Sequence, residues 1–78
     1  MNSEELEFVI FCIENIALRH KVNKKEVYNF LKNKSNILDN YIIPGYDFLH
    51  TQDKDYILDD IEEVMKAKGA NFDTFSRL

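Results

Sequence analysis

The sequence predicts an all-α protein, a small helical bundle of about four helices with a break near Pro44 and Gly45. Three observations carry that expectation. Apolar residues recur at three- and four-residue spacing, only two Gly and one Pro interrupt 78 residues, and start and stop signals flank the periodic stretches. With 45% hydrophobic and 13% aromatic residues, the composition excludes a disordered acidic tail, a collagenous repeat and a Gly/Pro linker. A chain this short buries only about 60% of its unfolded surface, which allows one modest core. Residues 1–69 therefore read as a single helical domain and residues 70–78 as an amphipathic C-terminal tail.

The first helix is expected over residues 4–20. Leu6, Val9, Ile10, Ile13, Ile16 and Ala17 set its stripe, and Phe8, Phe11, Cys12 and Leu18 widen it, which marks this helix as the central one. Asn2 or Ser3 can cap it. Glu4 and Glu5 suit the positive end of its dipole, and Arg19, His20 and Lys21 the negative end. The second helix, 24–33, has a compact start signal in Asn23 as N-cap, Glu26 reaching back, and Val22 packing on Val27. It should bury Val27, Phe30 and Leu31 and turn Lys24, Lys25, Asn29 and Lys32 outward. Ser35 or Asn36 can cap a third helix, 36–43, which Pro44 and Gly45 interrupt. Tyr46 to Thr51 reads as a short helical turn. Asp53 caps the last helix, 54–68, whose Ile57, Ile61, Val64 and Met65 face inward, and Gly69 stops it.

One cysteine excludes an internal disulfide, and no Cys/His spacing matches a zinc site, so stability must come from packing or a partner, and a cytoplasmic setting is expected. Phe8 to Ile13, the most apolar stretch, is about a third of the roughly 20 residues a membrane span needs. Neither membrane insertion nor secretion is expected, since Glu4, Glu5 and Glu7 stand where a signal peptide carries bases.

Charge is strongly segmented. Residues 1–18 carry −4, residues 19–34 carry +5, residues 35–63 carry −7 and residues 64–78 carry +2, which sum to the net −4. The basic block falls on the first helical junction and the second helix. Ala17, the turn at His20 to Asn23, and Val27 with Phe30 resemble the helix-turn-helix DNA-binding family over about 20 residues. That resemblance would place Lys24, Lys25, Asn29 and Lys32 toward phosphates and bases. Lys21 stands at the turn where that family often has Gly, and a lysine-rich outer face is more commonly just solvated.

Tyr46, Asp47, Phe48, Leu49, His50 and Thr51, followed by Gln52 and the Asp59, Asp60 pair, form the most distinctive string. Asp47 and His50 lie three apart, so a helical turn puts both on one face, where Asp59 or Asp60 could complete a His/carboxylate cluster. The plainer reading makes this a hydrogen-bonded corner. Tyr46 and Leu49 would then face inward, with Phe48 a further inward candidate, while Asp47, His50, Thr51 and Asp53 satisfy the backbone freed at the break. On that reading His50→Ala costs about 1–3 kcal/mol. His20 reads as a charge partner at a helix end, and Cys12, between Phe11 and Ile13, as a buried apolar residue. No catalytic order, phosphate loop or metal-ligand spacing stands out, so no enzyme activity, cofactor or metal is expected.

The YDFLHTQ string, the stretch Glu26, Val27, Tyr28 and the stretch Tyr41, Ile42, Ile43, Pro44 together resemble a family of small bacterial proteins of unknown function marked by a YDxLHTQ motif. The resemblance covers Glu7 to Gly69. Members of that family are often encoded beside ADP-ribosyltransferase-like proteins, which implies an antitoxin-like partner role. Gly45 departs from the Cys or charged residue of many members and bears on helix continuity there.

Phe72, Phe75 and Leu78 recur every three residues, so the tail either covers its own core or docks on another protein. The expected function is a non-catalytic protein-interaction module with a protein partner or a homo-oligomer, and DNA binding through the second helix as the alternative. The central-helix expectation has a direct check. Ile13→Ala should lower stability by about 2–5 kcal/mol in urea denaturation, whereas an unchanged midpoint would remove the first helix from the centre.

Overall fold

The computed structural model describes residues 1–78. Helix α1, Ser3–His20, starts at Asn2, whose side chain accepts the Glu5 amide at 2.8 Å while the Glu5 carboxylate accepts the Asn2 amide at 3.0 Å. This reciprocal pair satisfies two of the amides that a helix start leaves free. At the other end Lys21 turns left-handed (φ 56°), and the Val22 amide donates back to the Ala17 carbonyl at 3.0 Å. Lysine thus adopts the conformation that glycine usually supplies at such a turn.

Helix α2, Lys24–Asn29, is capped by Asn23, whose side chain accepts the Lys25 amide at 2.8 Å. The expected return contact from Glu26 is absent. Its carboxylate instead accepts from the Ser76 amide at 3.2 Å and the Ser76 hydroxyl at 3.1 Å, a tail contact that no local signal announces. From Phe30–Lys34 the coil widens into a π-helical turn, with the Ser35 amide and hydroxyl both donating to the Phe30 carbonyl, at 2.9 and 2.7 Å. Asn36 then turns left-handed (φ 58°), a conformation asparagine tolerates, and the expected helix 36–43 is a second π segment, Leu38–Ile42. Pro44 has no amide to offer the Asn40 carbonyl, so the ladder loses a bond here; the Gly45 amide still reaches the Tyr41 carbonyl at 3.0 Å before the chain turns.

After a turn through residues 43–45 comes α3, Tyr46–Leu49, a single helical turn. Helix α4, Lys54–Ala67, is capped by Asp53, which accepts the Tyr56 amide at 2.9 Å, and ends at Gly69 with φ 95°. Asn71 caps a 3₁₀ turn, Phe72–Thr74, and the chain then runs extended beside the α1–α2 junction. There Val22 and Arg77 form an antiparallel bridge, and the Asn23 amide donates to the Ser76 carbonyl at 2.7 Å. There is no β-sheet. The architecture is a small all-α bundle.

Helix α1 is central and packs against both α2 and α4. It buries Phe8, Val9, Cys12, Ile13, Ile16 and Ala17. Val9, Ile13, Ile16, Ala17, Val27, Phe30, Leu31, Leu49, Ile57 and Ile61 are buried as the sequence predicts, whereas Leu6 and Ile10 are open to solvent and Val64 is only half-buried, Leu58 and Met65 taking the inward places beside Ile57 and Ile61. Burial pushes the Cys12 thiol up to about 12, so it stays protonated and unreactive as a small core residue. No helix is long and apolar enough to cross a membrane.

The break depends on glycine for a reason of space. A Cβ at Gly45 would lie 2.8 Å from the Tyr41 carbonyl oxygen and 3.3 Å from Leu49 Cδ1. Backbone cannot step aside as a side chain can, so Gly45→Ala should cost about 1–3 kcal/mol. A urea midpoint equal to wild type would contradict that packing.

Candidate interaction surface

The basic face of α2 is less free than its sequence implies. Lys24 pairs with Glu14 of α1 at 3.5 Å and Lys32 with Asp39 at 2.7 Å, while Asn29 accepts from Asn33 at 2.9 Å. The hydrogen bond and charge of Asp39 raise the affinity of Lys32 for its proton, so this lysine is held by an acid of its own chain. Lys25 alone of the four residues keeps its side chain unpaired. Moreover, the regular part of this helix is only Lys24–Asn29 before the coil widens.

The expected corner around the YDFLHT string is not a hydrogen-bonded network. His50 is exposed and its ring makes no hydrogen bond; the ring stacks on Tyr46 at 4.4 Å between centroids, so the loss expected from unsatisfied buried groups in His50→Ala does not apply. Asp47 is exposed and unpaired, and Phe48 faces outward, edge-on to Tyr56 at 6.1 Å. Thr51 does serve the backbone, donating to the Phe48 carbonyl at 2.7 Å, and Leu49 is buried. The two later acids go to different neighbours. Asp60 accepts from the Tyr41 hydroxyl at 2.6 Å, and Asp59 from Arg19 at 2.7 Å. Successive side chains on a helical turn point about 100° apart, so the residues of this one turn diverge rather than converge. No group of three His, Cys, Asp or Glu side chains lies close enough to hold a metal ion.

The best-organised polar cluster joins α1 to α4. Glu62 is buried, accepting from Arg19 at 3.1 Å and facing His20 Nε2 at 2.8 Å, and the His20 ring lies flat on Phe72 at 3.8 Å. The guanidinium holds its proton more firmly than usual, chiefly through the hydrogen bond it donates to Asp59, with the charges of Glu62 and Asp59 adding. His20, which the sequence marks as a charge partner at the helix end, meets Glu62 from α4, a contact that no local spacing indicates. No buried side-chain nitrogen or oxygen lacks a partner, so the cluster is fully paired, and the His20 ring ties it to the tail through Phe72.

Of the three tail residues offered for a partner, Phe72 is buried and Phe75 packs on the core against Phe30 and Phe72. Leu78 remains outside. It lines a shallow groove of about 390 Å³ with Glu14, Ala17, Leu18 and Lys24, at the edge of a ridge on α1 formed by Leu6, Ile10, Glu14 and Leu18. The width of the apolar pattern on the first helix is plain in the sequence, whose spacing predicts Leu6 and Ile10 in the inward stripe. Both are in fact largely open to solvent.

Together these features define a small all-α protein with a closed polar interior and an open apolar ridge. The chain belongs to the family described as protein of unknown function (DUF3791), whose profile matches residues 7–68. It matches no curated protein and no solved structure.

Tyr41 gives a pH-dependent check on how α4 is held. The hydrogen bond to Asp60, helped by burial and by the carboxylate charge, raises this phenol to about 12 from an ordinary value near 10. A folded-state value above the unfolded one means that the contribution is complete below about pH 10 and is lost as the pH climbs toward 12. Tyr41→Phe should therefore flatten the fall in urea midpoint across that window. Equal slopes for the two proteins would place the alkaline sensitivity elsewhere.

Proposed function

We propose that the chain is a non-catalytic protein-interaction module that docks through the outer ridge of α1. The observation that carries this reading is exposure. Leu6 is 49% exposed, Ile10 45% and Leu18 65% on the helix whose opposite face builds the core, and Leu78 of the tail, 76% exposed, lies beside them. Single exposed leucines are ordinary, but apolar residues gathered along one ridge with a charged border are the pattern of a contact surface. An antitoxin-like role toward a neighbouring bacterial protein, implied by the sequence resemblance, is one form of this reading.

DNA binding through α2 is the competing reading, supported by the +5 charge of residues 19–34. The pairing of Lys24 and Lys32 with acids counts against it, because phosphate contacts would have to displace carboxylates already in place.

Tagged chain co-purified from its host, together with a differently tagged copy as bait, separates the two. Retention of a protein partner should be lost in Ile10→Glu and Leu18→Glu and kept in Lys25→Glu, with stability within about 0.5 kcal/mol of wild type because these sites are exposed. Micromolar binding to duplex DNA at physiological salt, lost on Lys25→Glu, would reverse the assignment.

A further inference from the structure

We infer that the partner of the α1 ridge is a second copy of this chain, packed antiparallel about a two-fold axis midway between Leu6 and Leu18. The inference rests on the protein-interaction reading and names its occupant. Three features of the ridge point to self-pairing. Its members, Leu6, Ile10, Glu14 and Leu18, are spaced by four, so an antiparallel copy sets Leu6 of one chain against Leu18 of the other, twice. Such a contact is self-complementary, as a closed two-fold interface requires.

Charge selects the direction. Residues 1–18 carry acids and no base, and Lys21, just past the end of α1, is basic and unpaired, so parallel copies would align like with like, whereas antiparallel copies set acid against base at both ends. At these ends Glu7 and Lys21 are exposed and take part in none of the chain's seven ion pairs. With the axis midway between Leu6 and Leu18, Lys21 of one chain lies four residues, about 6 Å, beyond Glu7 of the other, a diagonal that a lysine side chain spans. The charge in the middle of the ridge is already matched, since Glu14 holds Lys24 at 3.5 Å, and no unpaired carboxylate would be trapped there.

Size sets the strength. Helix α1 is about 27 Å long and one helix wide, a face well below the roughly 800 Å² per partner of a standard interface. The dimer is therefore weak and reversible, with a dissociation constant of about 10–100 µM.

Sedimentation equilibrium of the full chain from about 5 to 500 µM spans that range. The apparent mass should rise from 9.3 kDa toward twice that value. Ile10→Glu and Leu18→Glu should remain monomeric with an unchanged helical circular dichroism spectrum. Glu7→Lys and Lys21→Glu should each weaken association by about fivefold or more, and the two substitutions in one chain should restore it, because the swapped charges again face their opposites. Failure of that double variant to recover would overturn the antiparallel arrangement. A wild-type chain that stays monomeric throughout yet holds another protein through Ile10 and Leu18 would overturn the second-copy assignment and leave the interaction reading standing. A monomeric chain whose captures ignore both residues would overturn both.

Discussion

The structure depends on one requirement, the burial of a face of α1 too wide for any single neighbour. Phe8, Cys12 and Ile16 lie toward one side of that face and Val9, Ile13 and Ala17 toward the other, covering about half of the helix circumference. One packed helix covers a stripe closer to a third. Helices α2 and α4 therefore have to share the work. The polar contacts are placed where the shared packing needs fixing, with Arg19 and His20 meeting Glu62 across the α1–α4 seam. Exposed links such as Arg19 to Asp55 at 3.3 Å add little individually. Buried Glu62 matters more, since its charge is tolerated only because two α1 side chains converge on it.

The same requirement accounts for the tail. Two helices cover the flanks of α1 but leave the junction at its C-terminal end open, around Val22 and His20. Phe72 closes it by stacking on His20, and the extended stretch at 76–78 pairs with the junction backbone, the Ser76 carbonyl accepting from the Asn23 amide and the Leu78 amide donating to the Lys21 carbonyl on either side of Val22. The ridge at the opposite edge receives no such cover. Helix α1 thus has one face committed to the fold and one left over, and what is left over is where a partner can act.

Local chemistry in the sequence was sufficient for the ends of α1, the cap at Asp53, the stop at Gly69 and the break at Pro44 and Gly45. Each needs only a few adjacent residues to state a backbone preference. The π segments were not legible because a coil widened by one residue keeps nearly the same apolar spacing, and the choice is made by Ser35 and by the proline that follows. Glu26 shows the other kind of failure. Its position fits a reciprocal cap, yet the carboxylate gains two donors from Ser76, fifty residues away, and long-range geometry prevails. The basic residues of α2 and the acids of the YDFLHT region misled in the same way, since their partners lie on other elements. The ridge was visible as excess apolar width on α1, but which part of that width would stay uncovered depended on where the neighbouring helices and the tail came to rest.

The bridge between Val22 and Arg77 also orders events during synthesis. Helices α1 and α2 can form soon after they leave the ribosome, but the junction between them stays open until residues 72–77 have been made. Until then Val22, Phe30 and the His20 ring face water, and the nascent chain presents apolar surface that the finished one hides. A chaperone would meet its broadest target in that interval. The rate at which the tail emerges therefore bears on whether the core closes on itself or on a neighbour, even though the tail is a small fraction of the finished fold.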